Sequence, residues 1–144
     1  MIPEKMKALE LKLLERDDMI FPEAATADDI SEFEKNNSVV LPQSFKDWLL
    51  LHDGGEFYLP GGVQIYGVAH KPVIDVTYND RPSENPKDYI VIGALSTGDP
   101  ILCGKKGECI SIYNHEEDTI ESDEVFPDFF SFIDGLYSLL GMED

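Results

Sequence analysis

The chain has 144 residues, of which 42% are hydrophobic and 28% are charged, as is typical of one globular domain with its own core. Its 29 Asp and Glu against 11 Lys and Arg give a formal net charge of −18. Such a charge repels phosphate backbones and anionic lipids and speeds encounter with cations. The composition therefore argues against nucleic-acid and membrane partners, and leaves two interpretations of the acidity: solubility, or a cationic protein partner.

The N-terminal segment shows no targeting signal. Its first ten residues alternate charged and apolar side chains, without the apolar run that a signal peptide requires. The longest apolar stretch, around residues 90–92, is too short to cross a membrane. The sequence therefore predicts a cytoplasmic protein.

Two helices are predicted at the start of the chain. Met6, Leu9 and Leu13 recur at helical spacing and predict a first amphipathic helix over about residues 4–16. Thr26 stands three residues before Asp29 in a near capping box, in which each residue bonds the backbone of the other. A short second helix should therefore begin at Thr26 and stop near residues 36–37.

A third helix is predicted after Pro42, which suits a first turn because proline lacks the N–H that would be unpaired there. An apolar stripe at i, i+3, i+4 and i+7 marks its buried face, namely Phe45, Trp48, Leu49 and His52. Gly54 or Gly55 is expected to close the helix in the left-handed conformation. Phe45 and Trp48 are predicted core residues, since an aromatic stripe at helical spacing usually packs inward.

Residues 57–113 show sequence patterns that are typical of β-strands. Residues 63–66 and 110–113 alternate, while residues 89–92 form a continuous apolar run that fits a central strand. Residues 104–107 form a turn; with Lys105-Lys106 as its loop, Cys103 would pair with Glu108, and Ile101 with Ile110. Cys103 and Cys109 would then lie on opposite faces as free thiols. Residues 71–88, with three prolines, could form helix, strand or loop.

The chain closes with a helix predicted to start at Pro127 and to end at Gly141, with a broad apolar stripe that can pack on a sheet. Neither an internal repeat nor a linker is apparent. Helices, a strand meander and a closing helix predict one domain over residues 1–144. Its fold class is α+β, an antiparallel-rich mixed sheet packed by N-terminal helices and a C-terminal helix.

These motifs together resemble the SUKH superfamily, also called the Smi/Knr type after fungal regulators of cell-wall synthesis. Leu41-Pro42 opens a helix that carries Phe45 and Trp48 and leads to Asp53-Gly54-Gly55. An apolar strand ending in Gly93, a Gly98-Asp99 turn, a hairpin, the pair His115-Glu116 and an aromatic-rich last helix follow in the order that the family shows. The resemblance covers the chain from about Thr26 onward.

The resemblance implies a sheet-and-helix fold without enzymatic activity. Most bacterial members look like immunity proteins that bind and neutralise secreted toxins, frequently nucleases, whereas fungal members are regulators and scaffolds. Because this chain is short and carries no long tails, it is more similar to the bacterial kind. The first hypothesis is thus an immunity protein, and the alternative is a non-enzymatic regulatory or scaffold module with a housekeeping partner.

The densest charge cluster supplies most of the candidate partner-binding residues. These are Glu116, Glu117, Asp118, Glu121, Asp123 and Glu124, together with His115 and with Glu56 of a segment, residues 56–58, expected at an exposed edge. If the cluster is an interface, its carboxylates would mimic phosphates in the active site of a basic toxin. As a solvated loop, they would only favour the N-terminus of the last helix, as does Asp128.

No pattern indicates catalysis or bound metal. The histidines at 52, 70 and 115 lack ligand spacing, the two cysteines have no second pair, and no nucleophile elbow or calcium loop is present. A pair of His115 with Glu116 could act as a general acid, but a histidine at a strand end is more often a hydrogen-bonded turn residue. Asp99, before Pro100, is expected to stabilise a turn. The sequence therefore predicts neither an enzyme nor a cofactor.

Overall fold

A computed structural model describes residues 2–70, 73–74, 89–104, 107–120 and 124–141. Most of the segment 71–88 lies outside these residues. The first third of the chain forms three helices, which are α1 (Glu4–Leu14), α2 (Ala27–Asn37) and α3 (Gln43–Leu49).

Local sequence explains where α2 begins. The Thr26 side chain accepts from the Asp29 N–H, and the Asp29 carboxylate accepts from the Thr26 N–H, both at 3.0 Å. This reciprocal pair satisfies two backbone donors that the first turn leaves without partners. The predicted capping box is confirmed, and Ser38 ends the helix with φ 53° in the left-handed region.

Six strands form one sheet in sequence order, each pairing antiparallel with the next. They are β1 (Gly55–Phe57), β2 (Val63–Ile65), β3 (Tyr89–Leu95), β4 (Pro100–Gly104), β5 (Ile110–Ile112) and β6 (Val125–Phe126). An isolated parallel bridge joins Gly67 to Val73. Two short helices follow, α4 (Phe129–Asp134) and α5 (Leu136–Leu139).

The main core lies between the helices and one face of this sheet. Its largest members, with Trp48 and Phe45 as predicted, have essentially no exposed surface. Because strand side chains alternate, residues on the other face form a separate small cluster of Val91, Leu102 and Tyr113. We call this second side the second face. The predicted α+β class, with helices before and after the sheet, is confirmed, and no described helix is long and apolar enough to span a bilayer.

Two predictions about helix ends were wrong. α3 stops at Leu49, and Leu50 follows in the right-handed region, so no glycine closes this helix. Gly54 is needed for another reason: its φ is +99°, and a Cβ there would lie 2.5 Å from the carbonyl oxygen of Ile65. The closing helix is two helices, because Gly135 interrupts it, and glycine has the lowest helix propensity of any residue except proline.

The predicted hairpin register was also wrong, although the facing of its side chains was right. Cys103 pairs with Ile110, and Ile101 with Ile112, so the connection is longer than two residues. The shift preserves the alternation, since all four of these side chains lie in the main core. Cys103 is buried and Cys109 is exposed, and the two do not form a disulfide with each other.

Candidate partner-binding surface

The acidic turn, residues 115–118, follows β5 and is fixed by bonds from its own backbone. Asn114 and Thr119 bridge its base, their N–H groups donating to each other's carbonyls at 2.9 and 3.3 Å. The Asn114 side-chain oxygen accepts from the Glu116 and Glu117 N–H groups at 3.1 Å each. These contacts hold the exposed acidic turn in one conformation.

Side chains from two strand ends brace the same turn. The Asp99 carboxylate lies 2.6 Å from His115 Nδ1 and also accepts the His115 N–H at 3.3 Å. On the other side, the Tyr113 hydroxyl donates to Asp118 at 2.5 Å, which supports the left-handed φ of 52° at Asp118. His115 is thus a bonded turn residue, and Asp99 stabilises a turn through a residue 16 positions away.

Two carboxylates of the acidic turn remain available for a partner. Glu116 and Glu117 are exposed, and within the described part of the chain neither side chain has a hydrogen-bond or ion-pair partner. Their backbones are bonded while their charged groups face solvent. A cation binding there would have no internal ion pair to displace and little backbone entropy to remove.

Charge is unevenly distributed along the sequence. Residues 107–144 contain 11 Asp and Glu and no Lys or Arg. Some of these acids serve the fold: Glu108 accepts from the Gln43 and Ser44 N–H groups at 2.7 and 2.9 Å, and Asp128 caps α4. Glu124, half-buried, precedes β6, while Glu121 and Asp123 lie outside the described residues.

Glu56 is not part of this cluster. It lies on β1, at the opposite edge of the sheet from β5 and β6. The expectation of an exposed edge at residues 56–58 was wrong for two reasons: Phe57 and Tyr58 are buried, and the segment 18–20 covers the outer edge of β1. There Ile20 and Glu56 exchange backbone bonds of 2.9 and 2.7 Å. Glu56 therefore does not belong to the acidic turn itself.

Sequence reasoning missed a buried polar centre beside β1. The Asp53 side chain accepts from the N–H groups of Val68, Ala69 and His70 at 2.7, 2.9 and 2.7 Å. His70 Nδ1 lies 2.9 Å from the same carboxylate. Asp53 thus fixes the backbone of residues 68–70, which follow β2. The motif Asp53-Gly54-Gly55 was visible in the sequence, but no local pattern connects it with residues 68–70.

A profile of the family described as SMI1 / KNR4 (SUKH-1) matches residues 24–135. This span covers more than three quarters of the sequence. The chain belongs to the SMI1 / KNR4 family. No curated protein matches it. The family match confirms the resemblance, which was expected from about Thr26 onward.

The motifs that carried this resemblance have structural roles in the SUKH-1 domain. Asp53 holds residues 68–70, and Gly54 admits the carbonyl of Ile65. Asp99, in the Gly98-Asp99 turn, holds the acidic turn through His115. Among the described residues, no group of three His, Cys, Asp or Glu side chains is arranged to hold a metal ion. The Asp53, Gly54 and Asp99 motifs of the family therefore stabilise the scaffold.

Proposed function

We propose that this SUKH-1 domain is an immunity protein, which binds a cognate secreted bacterial toxin and neutralises it by stoichiometric, non-enzymatic protein interaction. Family membership supports the proposal, because the family resemblance implies such a role for most bacterial members. The net charge of −18 supports a basic partner, such as a nuclease domain.

The acidic turn is the observation that carries this proposal. Its exposed Glu116 and Glu117 carboxylates have no partner in the described structure, and bonds from Asn114 fix their backbone. Because the turn is already ordered, binding would lose little conformational entropy. A fixed pair of carboxylates can occupy positions that phosphates take in a basic active site, which would block that site sterically and electrostatically.

Association would proceed in two stages. The long-range field of the acidic surface raises the encounter rate with a cationic protein, and this contribution falls as salt screens it. Close contacts then determine how long the complex lasts. No chemical step by the domain is required.

The proposal is tested with the toxin candidate encoded by the gene beside this one. We expect co-expression to protect a cell from that toxin, and the two purified proteins to form a stable complex. Replacing both Glu116 and Glu117 by Gln should slow association about tenfold or more at low salt. The control, Asp17→Asn with Glu32→Gln, removes the same charge at two exposed sites elsewhere and should have a much smaller effect.

Failure to bind or protect against any neighbouring toxin would contradict the proposal. Equal association rates for the two double variants would show instead that net charge alone, rather than the acidic turn, promotes the encounter.

A further inference from the structure

A cleft of about 180 Å³ lies where residues 20–22 meet β1 and β2. One wall is apolar and is formed by Ile20, Phe21 and Pro22. The Phe21 ring is fixed by packing on Trp48 and Phe57, with ring centroids 5.2 and 5.0 Å apart. Ile20, in contrast, is 57% exposed. The cleft therefore offers a rigid, partly solvent-exposed apolar wall.

Two polar side chains without partners form the opposite side. Glu56 and Gln64 are paired residues of β1 and β2, and both are half-buried. Within the described residues, neither side chain makes a hydrogen bond or ion pair. Half-buried acceptors without a protein partner depend on solvent or on a ligand for their hydrogen bonds.

The acidic lining of the cleft favours a cationic ligand. Among the described residues, this lining includes Glu56 and Asp53 but no Lys or Arg. His70 Nδ1 is already directed at Asp53. A larger cleft of about 480 Å³ between α1 and α5 differs in this respect, because Lys12 and Arg16 line it. As the described residues line these two clefts, the first combines an apolar wall with the carboxylate of Glu56 and has no Lys or Arg.

We propose that the cleft beside β1 binds an arginine side chain of the basic partner, an inference that rests on the proposed function. The methylene groups would lie along Ile20 and Pro22, and the guanidinium would donate to the Glu56 carboxylate and the Gln64 amide oxygen. Arginine fits better than lysine because its planar fork can donate to two fixed acceptors at once. Arginines in such pockets are common interface hot spots.

The cleft and the acidic turn can serve one interface. Glu56 and Gln64 alternate with the core residues Phe57, Val63 and Ile65, so they project to the second face of the sheet. Tyr113, which braces the acidic turn, lies on the same face. With neighbouring strands about 4.8 Å apart, β1 and β5 are separated by roughly 19 Å. A patch of about 800 Å² per partner covers both.

The test uses the full chain and a small probe, so that it does not depend on the toxin. ¹⁵N-labelled protein is titrated with N-acetyl-arginine methylamide, and amide shifts are followed by NMR. We expect saturable shifts centred on Gly55, Glu56, Gln64 and Ile65. The neutral isostere N-acetyl-citrulline methylamide should give no saturable shift, and the lysine analogue should bind more weakly.

Glu56→Gln should weaken arginine binding about tenfold, as loss of one charge-assisted contact predicts. Glu32→Gln removes the same charge at an exposed position outside the cleft lining and should leave arginine binding unchanged. Unsaturable shifts, equal binding of arginine and citrulline, or equal affinities of the two variants would each overturn the assignment. The spectrum of each variant without probe verifies its fold.

The toxin complex gives an independent second readout. Glu56→Gln should mainly increase the dissociation rate, because the cleft acts in the bound state, whereas Glu117→Gln should mainly slow association. An unchanged dissociation rate for Glu56→Gln would overturn the cleft assignment and leave the proposed function standing. If no toxin binds, the proposed function fails, and the arginine titration alone decides whether the cleft binds the side chain.

Discussion

Replacing Asp53 by Asn probes the buried polar centre with almost no change in size. Asp53 is 2% exposed. Its Oδ2 accepts from the Ala69 N–H, the His70 N–H and His70 Nδ1, and its Oδ1 accepts from the Val68 N–H. An asparagine oxygen can replace Oδ2, but its NH₂ group would then face the Val68 N–H, which is also a donor.

The expected cost follows from these contacts. Hydrogen bonds to a charged group contribute about 1.5–3 kcal/mol each, and a buried donor left without an acceptor costs about 1–3 kcal/mol. Asp53→Asn orphans one donor and weakens three bonds by removing the charge. We therefore expect the free energy of unfolding to fall by about 2–4 kcal/mol.

The assay is urea unfolding followed by circular dichroism. With a slope of about 2 kcal/mol per molar urea, the midpoint should fall by about 1–2 M. Asp17→Asn is the matched control, because it makes the same chemical change at an exposed site without a described side-chain partner. A loss below about 0.5 kcal/mol in Asp53→Asn, the size of an ordinary surface effect, would refute the assigned role of Asp53.

A backbone perturbation tests the same centre independently. A Cβ at Gly67 would lie 2.4 Å from the Asp53 carbonyl oxygen and 2.5 Å from Oδ1. Gly67→Ala should therefore destabilise the protein by at least about 1 kcal/mol. At Gly61, a Cβ meets nothing within 4 Å, so Gly61→Ala should be neutral.

Three further predictions concern helix capping, a surface ion pair and salt. Thr26→Ala removes the bond from the Asp29 N–H and should cost about 1 kcal/mol, or about 2–4 °C in a thermal melt, with Thr26→Ser close to the parent. The hydrogen bonds from Arg16 lower the pKa of Asp18 below its usual 3.8. The stabilisation of the folded protein by this pair is therefore present above pH 4 and is lost as the pH falls through the lowered pKa. Arg16→Met should raise the pKa of Asp18 in an NMR titration. Association with a basic toxin should slow markedly as salt increases, and a salt-independent rate would mean that the acidity serves solubility.

Much of the fold could be predicted because its signals are local. The capping box at Thr26 and the aromatic stripe of α3 depend on residues a few positions apart, and the structure confirms both. The errors arose where distant contacts decide. Gly54 is required by the carbonyl of Ile65 rather than by the helix that it follows. In the hairpin, Cys103 pairs with Ile110 instead of Glu108, so a two-residue loop was the wrong assumption.

In the candidate site, too, local features could be predicted from the sequence and contacts between distant residues could not. The acidic turn was visible as a run of charge, but the contact of Asp99 with His115, 16 residues apart, was not. Glu56 was a candidate because residues 56–58 were expected at an exposed edge, and the strand order places it at the opposite edge of the sheet from the acidic turn. The cleft beside β1 depends on residues 20–22 meeting β1 and β2, which no periodicity along the chain encodes.

The central claim, that this domain neutralises a toxin by binding it, is tested most directly by titrating the activity of the adjacent gene's toxin with the purified domain. We expect toxin activity to fall linearly and to end at one domain per toxin, as tight stoichiometric binding requires. Full toxin activity in the presence of a molar excess of the domain would contradict it.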